Sequence, residues 1–213
     1  MSRDFEFKAL LRAYRSGVIG QQTFESEIAL LEIGAKAPNG KGAGFKAFGR
    51  TYKSERDAIV SFIDKVRAGE ANGGQAFTVW AEVCTTDCIK TGLRMIAERE
   101  AYHSRIFAKR LVELGGQPRA ENTEDGRKFT AYLGDPNIAD NVKLLKFVER
   151  VGKPEDAIKP ICDFAALIQE DLGTKEALRL FAEDELSSTK WIYESCAALN
   201  APANKSKEDS ASM

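Results

Sequence analysis

The order of apolar and polar positions is helical along nearly the whole chain. From Ser54 to Asn200 apolar residues return at spacings of three and four, proline is sparse, and the strict alternation of a half-buried strand is missing. Two shorter helical patterns come first, Asp4 to Tyr14 and Thr23 to Ile33. Phe5, Leu10, Leu11 and Tyr14, then Phe24, Ile28 and Leu31, mark their apolar faces. Ser16-Gly17-Val18-Ile19-Gly20 separates the two, so residues 1–33 predict a small helical hairpin. Gly34 to Arg50 holds five glycines, four basic residues and no acid, which predicts a flexible Gly/Lys-rich linker over 34–53. Residues 200–213 are polar and predict a disordered tail.

Between these ends the pattern predicts an all-α domain over 54–199, with long helices at 55–85, 87–115, 138–170 and 174–198. Turn signals fall near 86 and 172, which makes each pair of helices an antiparallel hairpin. The segment 117–136, rich in Gly, Pro, Asn and acids, is long enough to be the crossover between the two hairpins.

The two hairpins repeat one another. Gly92-Leu93-Arg94-Met95-Ile96-Ala97-Glu98-Arg99-Glu100 returns as Ala177-Leu178-Arg179-Leu180-Phe181-Ala182-Glu183-Asp184-Glu185, an offset of 85 residues. The same offset pairs Phe62 with Phe147, Val66 with Val151, Glu70 with Glu155, and His103 with Ser188. In each half the two glutamates lie 30 residues apart about a central turn. Each arm then climbs ~22 Å at about 1.5 Å per residue, so Glu70 comes level with Glu100 and Glu155 with Glu185.

Glu100 and His103 interrupt the apolar stripe of Leu93, Ile96, Phe107 and Leu111, and Glu185 interrupts that of Leu178, Phe181 and Ile192. Buried carboxylates that converge repel one another and lose hydration, and a bound cation relieves both costs. Composition narrows the chemistry further. Lys+Arg 31 against Asp+Glu 32 leaves a net charge of -1, which gives no field to recruit nucleic acid. The uncharged run Ala71 to Ala81 is too short to span a bilayer, and the amino terminus has no signal-peptide core, so a cytoplasmic protein is expected. Cys84, Cys88, Cys162 and Cys196 lack CxxC spacing and read as buried thiols. His103 is the one histidine, so any metal site is rich in oxygen donors.

Glu70, then Glu100-Ala101-Tyr102-His103, then Glu155, then Glu185-Leu186-Ser187-Ser188 resembles the ligand set of the ferritin-like, rubrerythrin-like di-iron carboxylate bundles. The resemblance implies a four-helix bundle in which Glu70, Glu100, His103, Glu155 and Glu185 bind iron, as a pair or as a single ion, with manganese a substitute. Ser188 stands where that family's second histidine belongs. The implied activity is oxidation by dioxygen or peroxide, of ferroxidase, peroxidase or oxygenase type. Tyr102 and Trp80 are electron-donor candidates by position, with core packing as their other role. The alternative is a metal-poor scaffold or interaction module. In both cases residues 1–50 offer the surface for a homo-oligomer or a protein partner.

Overall fold

The computed structural model describes residues 10–15, 19–25 and 44–201. The chain divides into two compact units, residues 1–43 and 44–213. In the first, 10–15 and 21–25 are helical and the rings of Tyr14 and Phe24 stack with centroids 4.5 Å apart. The remainder of the expected hairpin over 1–33, the linker over 34–43 and the tail from 202 lie outside the described residues.

The second unit is mostly helical, with one two-stranded sheet. Strands β1 (Phe45–Ala47) and β2 (Arg50–Tyr52) pair antiparallel around Phe48-Gly49. Both turn residues have positive φ, 52° and 67°, the geometry that matches a two-residue loop to strand twist. Glycine-rich composition predicts a flexible linker here; residues 45–52 instead form a hairpin that packs on the first long helix. Phe45 and Phe48 lay their rings against Phe164, so apolar burial orders the segment.

Among the described residues six helices follow, three of them long. Helix α1 (Glu55–Val83) begins at Ser54, whose side chain accepts from the Asp57 N–H. It reverses at Cys84–Thr86 into α2 (Asp87–Glu113). Gly115 at φ 68° and the bonds Gly116 N→Leu111 O and Gly115 N→Val112 O close α2 with a left-handed cap. The expected crossover is not a bare connector: Thr123 caps a further helix, α3 (Glu124–Leu133), which packs on α1. The expected helix over 138–170 is broken. It runs as α4 (Asp140–Val151) and α5 (Pro154–Leu167), because Gly152 turns to φ 73° and Pro154 starts a new first turn. Helix α6 (Leu172–Asn200) packs along α4 and α5 and crosses α2.

The 85-residue repeat has a structural counterpart at the helix turns. Glu55, at the start of α1, accepts from the backbone N–H groups of Gln169, Glu170 and Asp171 before α6. Asp140, its counterpart at the start of α4, accepts from those of Thr85 and Thr86 before α2. Each half thus ties down the other half's turn with a buried carboxylate. Asp140 also accepts from Trp80 Nε1 at 2.9 Å and Thr86 Oγ1 at 2.7 Å. Burial works against its charge, yet these bonds hold its pKa below the usual carboxylate range.

Two apolar clusters fill the interior. One gathers Phe77, Trp80, Ile89, Leu93, Ile96, Leu144 and Ile192, the other Ile59, Ile63, Phe107, Leu111, Phe164, Leu178 and Phe181. On α1, α2 and α6 a short polar layer separates the two. Among the described residues no helix is long and apolar enough to cross a membrane.

Candidate metal centre

The polar layer is made by Glu70 of α1, Glu100 and His103 of α2, and Glu185 and Ser188 of α6. Glu70, Glu100, His103 and Ser188 are all buried. Glycine explains how Glu100 fits: a Cβ on Gly73 would meet Glu100 Oε2 at 2.5 Å, and one on Gly74 would press on the Ala97 carbonyl oxygen and Ala101 nitrogen at 3.3 Å. The pair Gly73-Gly74 therefore lets α2 and its carboxylate approach α1. Its helix-propensity cost, about 1 kcal/mol per glycine relative to alanine, is offset by that close packing.

His103 is held from three sides. Its Nδ1 lies 3.3 Å from Glu70 Oε2 and 3.5 Å from Glu185 Oε1, and its Nε2 lies 3.1 Å from Asp184 Oδ2. The Phe181 ring meets it edge-on, with centroids 4.9 Å apart. One ligand atom each from Glu70, His103 and Glu185 lie within 4.8 Å of one another. Glu185 Oε1 is buried and has no hydrogen-bond partner.

Charge in this layer is tightly coupled. Burial pushes the Glu70 carboxyl up to about 7 against the opposing pull of the His103 hydrogen bond. Burial, with Glu70 and Glu185 close by, raises Glu100 well above the usual range. At His103 burial favours the neutral ring, but the surrounding carboxylates of Glu185, Glu70 and Asp184 outweigh it and raise the imidazole to about 10. Protons thus compensate the layer wherever a cation does not.

The donor set fits a hard or borderline divalent transition metal, since two carboxylates, Glu70 and Glu185, converge there with the His103 imidazole; Glu100 lies beside Glu70 but outside that group. Two details support the fit. Glu185 Oε1 is buried in the layer without a hydrogen bond, with the His103 ring nitrogen 3.5 Å away. The histidine also presents Nδ1 to the carboxylates while Nε2 rests on Asp184, the arrangement that fixes the tautomer of a ligating imidazole.

The second half contributes less. Glu155 is not brought into the layer: α5 starts anew at Pro154, and the glutamate sits in that exposed first turn with Lys190 Nζ 3.7 Å away. Ser188 is in the layer, but its Oγ accepts from Arg99 Nη1 at 2.9 Å. Tyr102 faces solvent, while Trp80 is fully buried and committed to Asp140. Cys84 and Cys196 are buried as expected; Cys88 and Cys162 are exposed.

Asp184 and Arg99 are the functional candidates that the apolar stripes do not reveal. They occupy equivalent positions in the 85-residue repeat and carry opposite charges. Both act across the α2–α6 crossing, Asp184 on His103 and Arg99 on Ser188. Comparison of the chain with family models, with curated proteins and with solved structures finds no match.

Proposed function

We propose that the chain is a ferritin-like four-helix bundle whose polar layer binds non-haem iron, with manganese as a substitute, through Glu70, Glu100, His103 and Glu185. The observation that carries this reading is the orientation of His103, with Nδ1 toward Glu70 and Glu185 and Nε2 anchored on Asp184. The antiparallel run of α1 against α2, and of α6 against α4 and α5, supports the ferritin-like comparison.

Iron held there supplies one-electron chemistry toward dioxygen or peroxide. The chain's own residues prepare the site for such an ion. Glu70 and Glu100 release protons as a cation enters, so their raised pKa values make loading pH-dependent. His103 releases its Nδ1 proton and keeps the Nε2 proton on Asp184. The apolar clusters lie on either side of the buried Glu70, Glu100 and His103, which strengthens the charge interactions among these three.

Metal analysis of protein purified without added iron, before and after anaerobic loading with ferrous iron, tests the reading. Wild type should retain or take up iron, and His103→Ala should lose most of it. A wild type that holds no metal under any loading contradicts the proposal. A second reading, a metal-poor scaffold, is favoured by one observation: a protonated Glu100 and a charged His103 can neutralise the cluster without an ion. On that reading Glu100→Ala raises thermal stability, because it removes a buried acid whose charged form carries a desolvation cost and repels Glu70 and Glu185.

A further inference from the structure

We propose that the Arg99 guanidinium stands in for a second cation, so that the layer takes one divalent metal ion per chain and not a pair. The inference rests on the metal reading above and concerns its stoichiometry.

The repeat supplies the frame. An offset of 85 residues relates Glu70 to Glu155, Glu100 to Glu185, His103 to Ser188 and Arg99 to Asp184. A layer built symmetrically from both halves would offer two equivalent cation positions. The first half supplies a carboxylate on α1 and a carboxylate with an imidazole on α2. The second half supplies Glu185 alone, since Glu155 is at the surface beside Lys190.

Two contacts at the α2–α6 crossing are related by the same repeat and have opposite chemistry. In one, the Asp184 carboxylate holds His103, a group that sheds a proton and then offers a lone pair. In the other, the Arg99 guanidinium holds Ser188, donating from Nη1 to the hydroxyl at 2.9 Å and to the Asp184 carbonyl oxygen at 3.1 Å. Guanidinium keeps its charge at any working pH and has no lone pair to offer. Two acceptors on α6 fix it in place, and Ser188 itself is only 4% exposed. An ion placed at Ser188 would meet a permanent positive charge and a neutral oxygen already in use.

Elemental analysis of the full chain, saturated anaerobically with ferrous iron and separately with Mn(II), reads the ratio directly. Wild type should hold one equivalent. Ser188→His should still hold one, because the guanidinium remains, and Ser188→His with Arg99→Lys should match it. Ser188→His with Arg99→Gln should take up a second equivalent. Two equivalents in wild type overturn the inference and leave the metal reading standing, whereas none in wild type overturns the metal reading itself. Equal ratios in Ser188→His and in the Arg99→Gln double variant, both shown to be helical by circular dichroism, also overturn the inference. Should the double variant fail to fold, the wild-type ratio still decides.

Discussion

Replacing Glu70 by glutamine in the metal-free protein isolates the electrostatics of the layer. The carboxyl ionises near 4.5 in an unfolded chain and at about 7 once buried. Its folded pKa is raised, so the stability it contributes is fully present below 4.5 and is lost as pH rises through 7. At about 1.36 kcal/mol per pKa unit the whole loss is about 3 kcal/mol, most of it between about pH 5 and about pH 8. Glutamine cannot ionise. The wild-type-minus-variant difference in unfolding free energy should therefore shift by about 2–3 kcal/mol against wild type over that interval, or roughly 5–10 °C in Tm for a chain of this length. His103, raised to about 10 in part by Glu70 itself, also loses its contribution as pH climbs from 6.5; glutamine raises the imidazole less, so the variant loses no more than wild type and the difference keeps its direction. Thermal unfolding with chelator present, followed by far-ultraviolet circular dichroism, gives the four required values. Added Mn(II) should reverse the trend for wild type alone, since ligands bind metal in their deprotonated form. A wild-type-minus-variant difference that stays constant with pH would refute the claim that burial dominates at Glu70.

Asp184→Asn leaves the helix intact but weakens the anchor on His103 Nε2, and a competition titration against a chelator should find metal affinity reduced about 10–100-fold. Gly92→Ala should lower Tm even though alanine is the better helix former. Its Cβ would fall 2.0 Å from Trp191 Cζ2, and overpacking costs about 1–3 kcal/mol; altered tryptophan fluorescence should accompany the loss. Asp140→Asn turns an amide toward donors at Thr85, Thr86 and Trp80, and denaturant unfolding should show about 3 kcal/mol of lost stability.

Long stretches of the fold are legible in the sequence because α1, α2 and α6 each carry an apolar stripe that only one helix face can bury. The repeat adds the register between hairpins, and so the level at which Glu70, Glu100 and Glu185 meet. What escapes the stripe is local backbone geometry. Val148, Val151, Ile158 and Ile161 continue an apolar pattern across Gly152, yet that glycine turns to φ 73° and restarts the helix two residues later, which carries Glu155 to the surface. Helix α3 hides inside a polar segment, although Thr123 with Glu124 and Asp125 carries the signature of a capped first turn. The β-hairpin is masked by its glycines, since composition says nothing of how Phe45 and Phe48 anchor on Phe164. Gly73 and Gly74 add nothing to an apolar stripe, yet they let α1 and α2 approach closely. Asp184 and Arg99 depend on how α2 and α6 cross, which three-and-four spacing within a single helix cannot report.

An anomalous-difference map from crystals of wild-type protein grown with Mn(II) should show one strong peak in the polar layer, within bonding distance of His103 Nδ1 and of carboxylate oxygens of Glu70, Glu100 and Glu185, with none beside Ser188. A layer without a peak, or a peak on the exposed Glu155 or on His103 Nε2 instead, would contradict the proposed metal site.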